Sequence, residues 1–136
     1  MLGTLLSDTG LAEVMGTGIA ETLGVTSLLA VSGVSALIAV VISETTSNTA
    51  SATIVVPIVI PIAAAGLDPV IPALAAVFGA SFGFMMPIST PQNAVVYGSG
   101  IIPITKMVRS GIFFDVIGLV LIVLLIPVMA ALTGLV

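Results

Sequence analysis

The chain has 136 residues, 59% of them hydrophobic and 6% charged, with a mean hydropathy of +1.41; lipid, not water, is the expected solvent. Two basic residues against six acidic ones leave no basic surface for a phosphate backbone, which excludes nucleic-acid binding. Without Cys or His there are no disulfides, no thiolate or imidazole metal sites and no Ser/His or Cys/His couple, so no enzyme is expected.

Met1 to Leu6 are apolar but lack the basic flank of a signal peptide. Residues 1–7 read as the end of a truncated helix, so the chain is expected to be a piece of a longer protein with Met1 not a true start. Over residues 8–24, Leu11, Val14, Met15, Ile19 and Leu23 recur at helical spacing, while Glu13, Thr17 and Glu21 share another face. That pattern predicts an interfacial amphipathic helix, capped by Ser7 or Asp8 and closed at Gly24, with no binding role.

Residues 25–42 are almost wholly apolar, 43–51 read S-E-T-T-S-N-T-A-S, and 52–65 return to apolar character with Pro57 and Pro61. The second apolar leg is about 21 Å long as a helix, well short of a hydrocarbon core of roughly 30 Å. Residues 25–65 are therefore expected to form a re-entrant hairpin with its tip at 46–50. The alternative is a solvent-exposed turn between two spanning helices.

After a polar turn at Gly66 to Pro69 containing Asp68, Val70 to Ile88 reads as one helix carrying Gly79 and Gly83, four apart and suited to close packing. It stops at S-T-P-Q-N, and a shorter leg follows to Ile104. Residues 69–104 are thus expected to be a discontinuous helix broken at 89–93. Lys106 and Arg109 lie in a short amphipathic link, and residues 109–135 form a final transmembrane helix despite Asp115 and Pro127. The fold class is all-α, a polytopic membrane protein. Lys106 and Arg109 assign their end to the cytoplasm, which sends the C-terminus and the Asp68 turn outside and puts the hairpin tip near mid-membrane.

Both polar interruptions combine hydroxyls, a carboxamide and a helix restart. Irregular backbone survives at membrane depth only when buried in protein or lining a cavity. Asn48 or Thr49 can cap a helix restarting near Ala50, and Thr90 can cap one whose first residue is Pro91. Each restart aims free N–H groups and a partly positive helix end into one space, which favours an anion, especially a carboxylate. Hydroxyls, amide oxygens and unwound carbonyls suit a hard cation such as sodium. An anion and a cation side by side offset each other's desolvation, a physical reason for coupled binding. Glu44, a carboxylate at membrane depth, is expected to be structural, neutral or hydrogen-bonded behind the tip. Asp115 is expected to pair at the cytoplasmic interface, one turn beyond Arg109 and Ser110, and Met85 and Met86 to pack.

T-S-N-T-A at 46–50, followed by S-T-P-Q-N-A-V-V-Y-G-S-G at 89–100, resembles the divalent anion:sodium symporter family of di- and tricarboxylate and sulfate carriers. The resemblance covers essentially the whole chain. It implies one of two inverted repeats, the second, each with a re-entrant hairpin and a broken helix, in a protein that is a homodimer at full length. It implies that Ser47, Asn48 and Thr49 at the tip, with Thr90 and Pro91, contact the substrate. It also implies a sodium (Na+) site built by Ser43, Asn48 and the carbonyls of Thr46 and Ser89. The sequence departs from the family in carrying Gln92 where a second proline is common, and in having a single Ser-Asn-Thr. The expected function is sodium-coupled symport of a small dicarboxylate, tricarboxylate or sulfate across a cell membrane, inner or plasma, with the N-terminal repeat as the missing partner. The competing reading is a small structural or pore-forming membrane protein assembling through Gly79 and Gly83.

Overall fold

A computed structural model describes residues 4–5, 8–23, 27–64 and 68–134. Ser7, Gly24, Gly66 and Leu135, where the sequence puts a cap, a stop, a turn and a helix end, lie outside the described residues, as does most of 1–7. Among the described residues the regular structure is entirely helical.

The first helix, α1 (Leu11–Leu23), begins directly after Gly10, whose left-handed backbone (φ 70°) ends the turn before it. Asp8 is itself helical and is separated from α1 by the turn residues Thr9 and Gly10, so it does not cap α1 as expected. Leu11, Val14 and Met15 are exposed while Ala12 is buried, so this part of the apolar stripe faces outward; the helix packs on its neighbour α3.

Helices α2 (Leu28–Thr45) and α3 (Asn48–Ala64) form an antiparallel pair joined by Thr46 and Ser47. Ser27 starts α2 by accepting the Ala30 N–H at 3.3 Å, and α3 continues through Pro57 and Pro61. At 17 residues, α3 is roughly 26 Å long, longer than its apolar run alone indicates, because the helix restarts inside the polar motif. Ser51 on α3, fully buried, donates to the Ala39 carbonyl at 2.7 Å and fastens the two legs together.

Helix α4 (Val70–Ala80) lies against both legs. Ala39, Val55, Val59, Ala76 and Ala80 form one buried cluster; Ala36, Ile71, Ala75, Ile122, Ile126 and Ala130 form a second. Small residues dominate, so the backbones approach closely, as expected where lipid offers no hydrophobic drive and packing must hold helices together. A Cβ on Gly79 would stand 2.6 Å from the Ala36 carbonyl oxygen. Gly79 therefore joins α4 to α2 inside the chain. Gly83 is buried as well, so neither glycine is free to build an assembly interface, and the pore-forming alternative loses its motif.

Two features differ from expectation. Helix α4 stops at Ala80 instead of running to Ile88, and residues 81–90 form an extended, turn-rich segment before α5 (Pro91–Gly98). The last helix, α6 (Ile104–Thr133), follows directly on Pro103 and takes in Lys106 and Arg109, so no separate link precedes it. Its 30 residues reach roughly 45 Å, more than the hydrocarbon thickness. By length and composition, α2 and α6 are able to cross a membrane, whereas Asn48–Pro61 and Val70–Ala80 are shorter apolar stretches.

The buried stripe of α6 is Met107, Gly111, Asp115, Gly118, Ile122, Ile126 and Ala130, spaced three or four apart. The segment 81–90 lies in it. A Cβ on Gly111 would meet the Met85 backbone at 2.5 Å, and one on Gly118 would meet the Phe82 ring at 2.0 Å.

Candidate functional site

The hairpin turn and the unwound segment meet around Gly83. Ser43, fully buried on the last turn of α2, has its Oγ 2.8 Å from Asn48 Oδ1 and 2.7 Å from the Ala80 carbonyl oxygen. Asn48 Nδ2 donates to the Ser81 carbonyl at 3.3 Å. A Cβ on Gly83 would lie 3.0 Å from Ser43 Oγ, 3.1 Å from Ser89 Cβ and 3.3 Å from Asn48 Oδ1, so a side chain there would crowd the cleft. A hydroxyl carries one proton, and Ser43 faces two acceptors. The cluster is therefore rich in oxygen lone pairs and short of hydrogen-bond donors, the environment that suits a hard monovalent cation.

The expected site residues fall into two groups. Ser43, Asn48 and Ser89 lie together around Gly83. Thr46 stands at the C-cap of α2 in extended conformation, its Oγ1 donating to the Ile42 carbonyl at 2.9 Å. Ser47 is exposed and its Oγ accepts the Ala50 N–H at 3.2 Å. Ser47 is therefore the cap of α3, in place of Asn48 or Thr49, and Asn48 is released to face α4. Thr49 and Pro91 are exposed. Thr90 caps α5, its Oγ1 accepting the Asn93 N–H at 3.2 Å, with Pro91 at the first helical position. Among the described residues, no hydrogen bond links Ser47 or Thr49 to Thr90.

Behind the cluster, Glu44 is 4% exposed. Its carboxylate accepts the Met85 N–H at 3.1 Å, the Met86 N–H at 2.9 Å and the Ser89 hydroxyl at 3.0 Å. Ser89 Oγ also lies 3.0 Å from the Glu44 carbonyl. These bonds satisfy backbone groups that an unwound segment would otherwise leave unpaired in apolar surroundings, and they fix Ser89 relative to Ser43.

Asn93 was legible only as part of the polar break, yet it organises it: Nδ2 donates to the Gly83 carbonyl at 2.9 Å and the Met86 carbonyl at 3.0 Å. Asp115 departs most from expectation. Far from pairing near Arg109, it is 5% exposed, faces Glu44 and the Phe84 N–H, and neither of its oxygens makes a hydrogen bond. Six residues along a helix is about 240° of rotation, which turns Asp115 away from the exposed Arg109 face.

An apolar groove of about 490 Å³ between α4 and α6, lined by Leu74, Phe78, Leu121, Leu125 and others, shares no residue with this cluster. It is a lipid-like surface and not part of the polar site.

The sequence pattern of the sodium:sulfate symporter transmembrane region matches residues 1–135. Similar proteins include the sodium-dependent dicarboxylate transporter SdcS of Staphylococcus saprophyticus, 34% identical over 121 residues, which is 89% of this chain and 23% of that protein. The transporter of the same name from Staphylococcus aureus strain USA300 matches with the same identity and coverage. The chain thus spans about a quarter of the length of these relatives. With its polar motifs, all-helical membrane-type architecture and this match in hand, the chain belongs to the sodium:sulfate symporter transmembrane family, the divalent anion:sodium symporters.

Proposed function

We propose that the chain supplies one half of the binding site of a sodium-coupled carrier of small dicarboxylates, tricarboxylates or sulfate. The observation that carries this reading is the convergence of Ser43 Oγ, Asn48 Oδ1 and the Ala80 carbonyl within 2.8 Å contacts, without donors enough to serve them. In this reading Ser43, Asn48 and the carbonyls of Thr46 and Ser89 hold Na+. Ser47, Asn48, Thr49, Thr90 and Pro91 face the anion, whose carboxylate lies on the N-termini of α3 and α5. The relatives named for sodium-dependent dicarboxylate transport support the substrate class.

Helices α2 and α3 act as a re-entrant hairpin, and α4, residues 81–90 and α5 as one discontinuous membrane helix. Lys106 and Arg109 mark the cytoplasmic end of α6. The matching half of the anion site comes from sequence outside this chain, since transporters of inverted-repeat design bind substrate between two repeats.

The test is uptake of labelled succinate, citrate and sulfate into proteoliposomes, with and without an inward sodium gradient, by the transporter that carries this chain with its complementary half. Asn48→Ala weakens both sodium and anion dependence, because one amide serves both. Thr90→Ala acts mainly on the anion. Unchanged sodium affinity in Asn48→Ala removes that residue from the site.

A further inference from the structure

Resting on the Ser43 and Asn48 cluster as the sodium site, we propose that Phe82 is a positioning residue for that site. Seated on Gly118 of α6, its ring holds the Ala80 and Ser81 carbonyls where Ser43 and Asn48 meet them. The Ala80 carbonyl accepts from Ser43 at 2.7 Å and the Ser81 carbonyl from Asn48 Nδ2 at 3.3 Å. Phe82 is the next residue along the chain, and Gly83, at the tightest point of the cleft, follows it.

Polar bonds fix the later part of the unwound segment. Glu44 takes the Met85 and Met86 N–H groups, and Asn93 serves the Gly83 and Met86 carbonyls. Before Gly83 the segment is held against α6 by packing. A Cβ on Gly118 would stand 2.0, 2.3 and 2.6 Å from three atoms of the Phe82 ring, so the half-buried ring fills the space that a side chain there would take. Phe82 also meets Phe84 edge-on, with centroids 5.6 Å apart and planes at 89°. Phe84 in turn meets Phe114, one turn before Gly118 on α6, at 6.1 Å. Edge-to-face contacts are a favoured arrangement of aromatic rings, and here they wedge the segment between the cluster and the last helix.

Gly111 and Gly118 receive the segment differently. Gly111 takes the Met85 backbone, 2.5 Å from where a Cβ would stand, a contact between main chains that has no give. Gly118 takes a side chain, whose size sets how far the neighbouring main chain stands from α6. A methyl on Gly118 lies 2.0 Å from a ring whose ordinary contact range begins at 3.4 Å, so it drives the ring back by about an ångström or more. Close-packed interiors transmit such a displacement, and metal–ligand distances are held to about 0.2 Å. A small part of the movement, passed to the Ala80 and Ser81 carbonyls, is enough to spoil the fit of a cation. The last helix thereby governs sodium affinity while supplying none of the oxygens named for it.

The experiment follows labelled succinate uptake against sodium in proteoliposomes holding the transporter that carries this chain with its complementary half, beside thermal unfolding in choline chloride. Gly118→Ala is expected to raise half-saturating sodium at least about tenfold, the scale of one weakened contact to a cation. Phe82→Leu raises it too, because the seat is left partly empty. The double variant returns it toward the wild-type value, since the added methyl fills the room that the shorter side chain leaves. Gly79→Ala, whose methyl meets the Ala36 carbonyl at 2.6 Å, is the packing control and loses stability with half-saturating sodium unchanged. Half-saturating sodium that stays put in Gly118→Ala, that moves without rescue in the double variant, or that moves as far in Gly79→Ala overturns the role of Phe82. Ser43→Ala separates the two levels of the reading. A rise in Ser43→Ala with none in Gly118→Ala refutes the seat alone, whereas no change in Ser43→Ala refutes the sodium cluster and the seat with it. Should Gly118→Ala fail to fold, Phe82→Leu decides by itself, and unchanged half-saturating sodium there overturns the positioning role.

Discussion

Replacing Gly83 with Ala tests the cleft at its tightest point. The added methyl would lie 3.0 Å from Ser43 Oγ, 3.1 Å from Ser89 Cβ and 3.3 Å from Asn48 Oδ1, so a neighbour must move by a few tenths of an ångström. Ser89 is tethered to Glu44 at 3.0 Å and resists. Ser43 can yield by turning its hydroxyl, which breaks its 2.8 Å and 2.7 Å contacts with Asn48 and the Ala80 carbonyl. Losing one oxygen ligand of a cation costs about 1.5–3 kcal/mol by analogy with hydrogen bonds to charged groups, so sodium affinity should fall about tenfold to a hundredfold. The assay is the sodium dependence of thermal unfolding in nanodiscs, with Gly79→Ala as the control. There the methyl meets the Ala36 carbonyl at 2.6 Å, a backbone atom that cannot rotate aside. Gly79→Ala should therefore cost about 1–3 kcal/mol of stability with the sodium midpoint unchanged. If Gly83→Ala keeps wild-type sodium affinity, the oxygen cluster is not the cation site.

Asn93→Ala removes the donors to the Gly83 and Met86 carbonyls, at a combined cost of about 1–3 kcal/mol. Hydrogen exchange at the Met85 and Met86 amides should accelerate about tenfold, and unchanged exchange would show that Glu44 alone holds the segment. For topology, single cysteines replacing Asp68 and Lys106 should react with an impermeant maleimide from opposite faces, and one replacing Asn48 should resist a bulky reagent on both. Ready labelling at Asn48 from the cytoplasmic face would mean that α2 and α3 cross fully.

Hydropathy and helix capping read well from the sequence where one residue's own chemistry decides the outcome. The apolar runs ending at Ile42 and starting at Val70 correspond to α2 and α4, and the Thr90 cap with Pro91 behind it stands as the local rules require. The end of α4 was missed because residues 82–88 are mostly apolar, although Gly83 and Pro87 are local signals against a continuous helix: Pro87 has no N–H for the Gly83 carbonyl and disfavours helical backbone at Met86. Distant groups then hold the segment unwound: Glu44 capturing two N–H groups, Asn93 capturing two carbonyls, and the glycines of α6 making space. Asp115 was misjudged for a related reason. Its neighbours along the sequence include Arg109, but its neighbours in space come from α2 and from the unwound segment. Ser47 was overlooked as a cap because three adjacent residues could each serve, and only the position of Ser81 selects Asn48 for another task.

The two prolines of α3 carry a mechanical consequence. Pro57 cannot donate to the carbonyl of Thr53, nor Pro61 to that of Pro57, and both lie inside the helix, so two successive turns lack a rung on the same side. Helix α2 keeps its full ladder and is anchored near its end by Glu44 and Ser43. The hairpin is thus a stiff rod beside a compliant one. A force on the turn at Thr46 and Ser47 would be absorbed by flexure of α3 about Pro57 and Pro61, with α2 staying straight as the pivot.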